Sequence, residues 1–509
     1  MKFKNPILPG FYPDPSICRV GEDYFLVNSS FEYFPGVPLF HSRDMVNWRQ
    51  VGHCLTRTSQ LPLQDAPASG GIYAPTIRHH RGRFYMVTTN MTHGGNFYVY
   101  TDDPFGDWSD PVWVAQKGID PSLLFDDDGK VYFTSNGTRW AATRGIYQCE
   151  IDIATGRQLT ETEFLWPGTG GSYPEAPHLF KRGDYYYLMI AEGGTETGHC
   201  VTIARSRQPY GPFEPCPHNP ILTHRSTDNP VQSTGHADFV QDHLGAWWAV
   251  FLGVRPVQFG LHNIGRETYL ALVEWDDAGW PLINGGRRVA LQSHGHDLPL
   301  QAWPSAPQRD DFDDAKLALC WNYLRNPDES CYSLTASPGS LTLTPNHHSL
   351  DDLASPALVA RRQQHIHCRA ACLLRHAGLA DGEEAGLVAY MNPRHHVELA
   401  VAYSNRRREL IFRQRIGPLV QENVRLLPSA APIELQLVAD DKYYTFSFRE
   451  GGEWRDMGRH EVRYLCTEVT GGYTGVYLGL YAARQKLHEN AATGSASFDW
   501  FDYAGGDQG

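Results

Sequence analysis

Asp14-Pro15-Ser16-Ile17, a turn at Gly21, then Tyr24-Phe25-Leu26-Val27: this stretch decides the fold, because it comes back four times. Ala74-Pro75-Thr76-Ile77 turns at Gly82 into Phe84-Tyr85-Met86-Val87. Asp120-Pro121-Ser122-Leu123 turns at Asp128-Gly129 into Val131-Tyr132-Phe133, and Ala176-Pro177-His178-Leu179 turns at Gly183 into Tyr185-Tyr186-Tyr187-Leu188. A looser copy, His236-Ala237-Asp238-Phe239, turns at Gly245 into Trp247-Trp248-Ala249-Val250. Each copy has the pattern of a β-hairpin, with β-branched and aromatic runs either side of a glycine turn. A third alternating stretch and an aromatic turn follow, as at Trp48, Trp108 and Phe213. The copies start at 14, 74, 120, 176 and 236, spacings of 60, 46, 56 and 60 residues. Four short strands in such a period are the signature of a propeller blade. The chain is therefore read as all-β, with a five-bladed β-propeller over residues 1–294.

Composition agrees and narrows the function. The 509 residues carry 12% aromatics, 48 Gly and 34 Pro, a chain rich in strands and turns and suited to stacking on sugar rings. The net charge of −13 and the lack of a long Lys/Arg cluster argue against nucleic acid as a partner; Arg406, Arg407 and Arg408 read as a solvated turn. No run of about 18 apolar residues offers a membrane span. The start, Met1-Lys2-Phe3-Lys4-Asn5-Pro6, lacks the apolar core of a signal peptide, so a cytoplasmic location is expected. Ten scattered cysteines include no Cys-x-x-Cys pair and read as buried thiols.

The repeat also locates a site. In a propeller the first strand of every blade lines the central axis, so equivalent positions meet at one mouth. Those positions hold Asp14, Tyr73-Ala74, Asp120, Glu175-Ala176 and His236. Like charges gathered at an axis are costly without a purpose. Three carboxylates suit glycoside hydrolysis, in which a protonated acid serves the leaving oxygen and an ionised partner attacks the sugar or activates water. Carboxylates with a histidine also suit a hard cation, and residue types alone do not choose between the two.

Several strings resemble glycoside hydrolase family 43: Phe11-Tyr12-Pro13-Asp14-Pro15-Ser16, Gly118-Ile119-Asp120-Pro121-Ser122, Tyr173-Pro174-Glu175-Ala176-Pro177-His178 and Gly265-Arg266-Glu267-Thr268. Ser29-Ser30-Phe31-Glu32-Tyr33-Phe34-Pro35-Gly36 and Ala191-Glu192-Gly193-Gly194-Thr195 are similar to its β-xylosidase and α-L-arabinofuranosidase branch. The resemblance implies that Asp14 is the base that activates water, Glu175 the acid, and Asp120 the residue that positions the acid and tunes it. It implies a single inverting displacement, and so an acid–base separation of roughly 6.5–9.5 Å. It assigns Phe31, Tyr73, Thr195, Arg266 and Tyr473 to substrate contact; many β-xylosidases of the branch have Trp where this chain has Tyr73. It implies no cofactor for the chemistry, but a calcium or water beside His236 in the channel and a structural calcium shared by Asp313 and Asp499.

Past Gly285-Gly286 the blade pattern stops. Residues 295–310, with Pro299, Pro304 and Pro307, read as a linker. From 311 to 509 alternating runs such as Glu398-Leu399-Ala400-Val401-Ala402 predict an antiparallel β-sandwich. It resembles the jelly-roll, concanavalin-like domain that closes these enzymes, with Tyr473 on the closing loop. The expected activity is exo-acting release of terminal pentoses from short arabinoxylan- or xylan-derived oligosaccharides, as α-L-arabinofuranosidase, β-D-xylosidase or both. An endo-arabinanase with an open groove and a non-catalytic carbohydrate-binding propeller are the alternatives. A homo-oligomer is compatible with the sequence.

Overall fold

The structure, a computed structural model, describes residues 1–137, 143–296, 298–484 and 493–506. Five four-stranded antiparallel sheets surround an axis. Their innermost strands are Ser16–Val20, Thr76–His80, Ile119–Phe125, Glu175–Arg182 and Gln232–Gln241, so all five sequence copies became blades, the loose fifth included. The hairpin turns are tight where the sequence placed glycine: His80 pairs with Arg83 across Arg81-Gly82, both with positive φ (49° and 82°), the geometry that matches the twist of adjoining strands.

The ring closes through its beginning. Lys2–Lys4 pairs with Gln292–His294. The Asn5 side chain brackets Leu270 of blade 5, donating to its carbonyl and accepting from its amide. Aromatic and aliphatic side chains fill the seams between blades. One seam holds Phe25, Phe84 and Trp108; another holds Tyr187, Phe251 and Trp280. Most of the aromatic excess is packing.

The second domain is a sandwich of two eight-stranded sheets around an apolar core that includes Leu387, Leu399, Phe412, Phe446 and Phe498. It begins slightly earlier than the composition suggested. Arg309 and Asp310 already pair with Asp502 and Phe501, so the linker ends at 308 rather than 310. The linker is held on blade 1, where Gln301 N–H donates to Asp44 and the Arg49 guanidinium lies 4.0 Å from the Trp303 ring centre.

One sheet belongs to both domains. Tyr33–Phe34, from the propeller, is the edge strand of a sandwich sheet, pairing with Leu324 and Tyr323. Phe11, Phe31 and Tyr33 pack there with Leu324, Tyr390, Tyr477 and Tyr481, and Tyr73 and Tyr473 lie against the same cluster. The interdomain core therefore runs up to the propeller mouth.

Candidate active site

The mouth owes its shape to a repeated backbone irregularity. Asp14, Asp120, Ala176 and His236 all adopt left-handed backbone, with φ of 53°, 53°, 53° and 48°. Three of them precede a proline, which offers no N–H to a strand ladder. Strand pairing slips accordingly between Ile119 and Ser122, between Glu175 and His178, and between Gly235 and Asp238. Strained backbone of this kind persists only where its surroundings hold it, and it gathers at functional sites. Here it collects Asp14, Asp120, Glu175, His236 and Arg266 around one cavity, with Phe31, Tyr73, Thr195 and Tyr473 in its wall.

Asp14 is buried and faces positive charge. Arg266 grips it with two nitrogens, Nη1 to Oδ1 at 2.9 Å and Nη2 to Oδ2 at 3.4 Å. Ser29 Oγ donates to Oδ2 at 2.5 Å, and His236 Nδ1 lies 3.4 Å from Oδ1. Burial alone would raise this carboxyl; Arg266, His236 and Ser29 together outweigh it and hold Asp14 below the usual carboxylate range. Glu175 goes the other way. Burial, then the negative charges of Asp120 and Asp14, push its carboxyl well up, against Arg266. Asp120 lies between: burial lifts it to about 6, with Asp14 adding and His236 opposing. Asp120 Oδ2 also accepts the Ala176 N–H at 3.1 Å, fixing the backbone directly after the acid.

Arg266 is tied into the wall as well. Nη1 donates to Thr195 Oγ1 at 3.1 Å and Nη2 to the Tyr473 carbonyl at 3.3 Å; its guanidinium lies 5.7 Å from the Phe31 ring centre and 5.8 Å from that of Tyr473. Tyr473 arrives from the sandwich, its N–H donating to Ser69 Oγ at 2.8 Å. One side of the pocket is thus closed by the second domain. Beyond the pocket, a wider chamber opens between residues 67–70, 195–197, 226–229 and 467–473.

The residues named for a cation do not fit one. His236 stands beside an aspartate already gripped by a guanidinium. Both oxygens of Asp499 are held by Arg375, at 2.6 and 2.7 Å, and Asp313 shares its surface depression with Arg309 and Arg375. Among the described residues no group of three or more His, Cys, Asp or Glu side chains is arranged to hold a metal.

Sequence reasoning missed His199, Tyr173, Glu196 and Asn136, which also line the pocket. His199 Nδ1 donates to the Ser233 carbonyl at 3.0 Å, and burial pushes the ring down to about 4. Below the mouth, Arg78 and His178 hold Asp238 at about 2 against burial, a polar cluster that joins blades 2, 4 and 5.

One ionised and one protonated carboxyl group, facing a pocket walled by aromatic rings at the mouth of a propeller, define a glycosidase. The chain belongs to glycosyl hydrolases family 43: residues 3–281 match that family, and residues 309–504 match the beta xylosidase C-terminal concanavalin A-like domain. It is similar to the non-reducing end alpha-L-arabinofuranosidase BoGH43B of Bacteroides ovatus, 42% identical over 98% of this chain and 94% of that protein. It is 38% identical to a xylosidase/arabinosidase of Butyrivibrio fibrisolvens, over 98% of each chain. A solved structure, xylan beta-1,4-xylosidase from Bacillus halodurans, superposes with a TM-score of 0.93 at 34% identity, covering 98% of this chain and 99% of that one.

Proposed function

We propose that this glycosidase removes single pentose units from the ends of arabinoxylan- or xylan-derived oligosaccharides by an inverting displacement. The observation that carries the reading is the opposite tuning of two carboxyl groups in one pocket, Asp14 held ionised and Glu175 held protonated. Asp14 takes a proton from water as that water attacks the anomeric carbon. Glu175 gives its proton to the departing oxygen. Asp120 keeps the acid protonated by its charge and steady through the Ala176 N–H. Arg266 braces the terminal-sugar subsite by tying Asp14, Thr195 and the Tyr473 carbonyl together, and Phe31 gives the ring an apolar wall.

Closure of the pocket by Tyr473 supports cutting at a chain end rather than within a groove. The pentose specificity is carried over from the names of the relatives, which include both arabinofuranosidases and xylosidases. The test compares wild type, Asp14→Ala and Glu175→Ala on aryl α-L-arabinofuranoside and aryl β-D-xyloside. Wild type is expected to hydrolyse at least one. Asp14→Ala should lose turnover by orders of magnitude on whichever is cleaved. Full turnover in both variants would remove the roles given to Asp14 and Glu175, and no turnover by wild type on either substrate would leave a propeller that merely binds sugar.

A further inference from the structure

Tyr173 stands two residues before the acid, lines the catalytic pocket and is 54% exposed, whereas Phe31 in the same pocket is 2% exposed. Its neighbours hold it firmly. The Ser172 carbonyl accepts the Gly193 N–H at 2.7 Å, and the Pro174 carbonyl accepts Asn136 Nδ2 at 2.5 Å. Its own φ is 51°, a left-handed conformation that costs a bulky residue free energy. A large aromatic ring is therefore carried on an anchored, strained backbone and left uncovered beside the acid.

Beside it lies Gly194. A methyl group there would stand 3.4 Å from Tyr173 Cδ2 and 2.6 Å from a Glu196 carboxylate oxygen, so the ring and this carboxylate flank one gap with no room for a side chain. Glu196 belongs to both the inner pocket and the wider chamber outside it. The acid must reach the glycosidic oxygen. The deep side of that oxygen is taken by the terminal sugar, against Phe31 and Arg266. The group on its other side must lie toward solvent, against the residues that flank Glu175 there.

We propose that Tyr173 is the platform on which the leaving sugar's ring stacks, with Glu196 accepting that sugar's hydroxyls. This rests on the reading of Glu175 as the acid. The apolar face of a pyranose, flat and lined by C–H bonds, suits an exposed tyrosine; the chemical class recognised is an unactivated sugar rather than a small alcohol.

The experiment uses two unactivated substrates that both need the acid: a pentose disaccharide, and the methyl glycoside of the same pentose, which has no second ring. Tyr173→Ala is expected to lower kcat/KM for the disaccharide roughly tenfold, and that for the methyl glycoside less than about twofold. Tyr173→Phe, which keeps the ring, should hold both near wild type. Equal falls on the two substrates would show that Tyr173 acts on the acid, and an unchanged disaccharide rate, or a Phe variant as poor as Ala, would equally overturn the platform. If wild type cleaves neither substrate, the failure lies with the proposed function instead.

Discussion

Replacing Arg266 by alanine would remove the cation that keeps Asp14 ready as a base. At 2.9 Å and an effective dielectric constant of about 20, the pair attracts by about 6 kcal/mol. Loss of hydration by two buried groups takes back most of this, and a neighbouring opposite charge typically leaves a carboxyl about 1 to 3 pH units lower, or about 1.4 to 4 kcal/mol. Asp14 must be ionised to act, so activity falls as pH drops through its pKa. Without Arg266, burial is opposed only by His236, Ser29 and the more remote His199, and the acidic limb of the kcat/KM profile should move up by roughly 1 to 3 pH units. The same pairing contributes stability at neutral pH that is lost as pH falls through the Asp14 pKa. The assay is a pH profile of aryl pentoside hydrolysis for wild type, Arg266→Ala and Arg266→Lys. Lysine keeps the charge without the two-nitrogen grip, so its acidic limb should stay near wild type although its rate drops. An acidic limb that does not move in Arg266→Ala, whatever the loss in rate, would refute the assignment of Arg266 as the group that ionises Asp14.

Two further outcomes follow from the geometry. Asp120→Asn removes the largest of the three negative charges that raise Glu175 while keeping an oxygen for the Ala176 N–H, so the basic limb of the profile should move to lower pH with the acidic limb nearly fixed; a fixed basic limb would deny Asp120 its tuning role. Gly235→Ala puts a methyl group 2.3 Å from the His199 ring and should cost about 1 to 3 kcal/mol, read as a lower Tm that is largely restored in the Gly235→Ala/His199→Ala double variant. A single variant that melts like wild type would mean the ring has room to move.

The blades were legible because glycine recurs at the turn of every copy and proline at the start of four, and those residues act through local backbone rules. The three acids were legible for the same reason, since equivalence between blades converts a distance in sequence into a meeting at the axis. What made the mouth work was not legible. The left-handed φ at Ala176 has no local cause in alanine and is imposed by the slipped pairing around it. His199, Glu196 and Tyr173 sit in loops that differ from blade to blade, where no repeat marks them. The pairing of Tyr33–Phe34 with the sandwich is two residues long and spans about 290 positions, beyond any periodicity. Resemblance transfers a carboxylate but not its surroundings: Asp499, named for a structural calcium, is paired with Arg375 here.

That two-residue strand also sets an order of events during synthesis. A chain emerging from the ribosome folds from its beginning, and every propeller residue of the pocket is made by position 266. Yet the strand carrying Tyr33, two residues from Phe31, has no neighbour until residues 322–324 appear, and the wall beside Arg266 waits for Tyr473. A ribosome stalled between the domains would therefore hold a propeller with all three acids and an unfinished pocket. A sandwich put in place of this one would therefore have to supply both a strand for Tyr33 and a loop for Arg266.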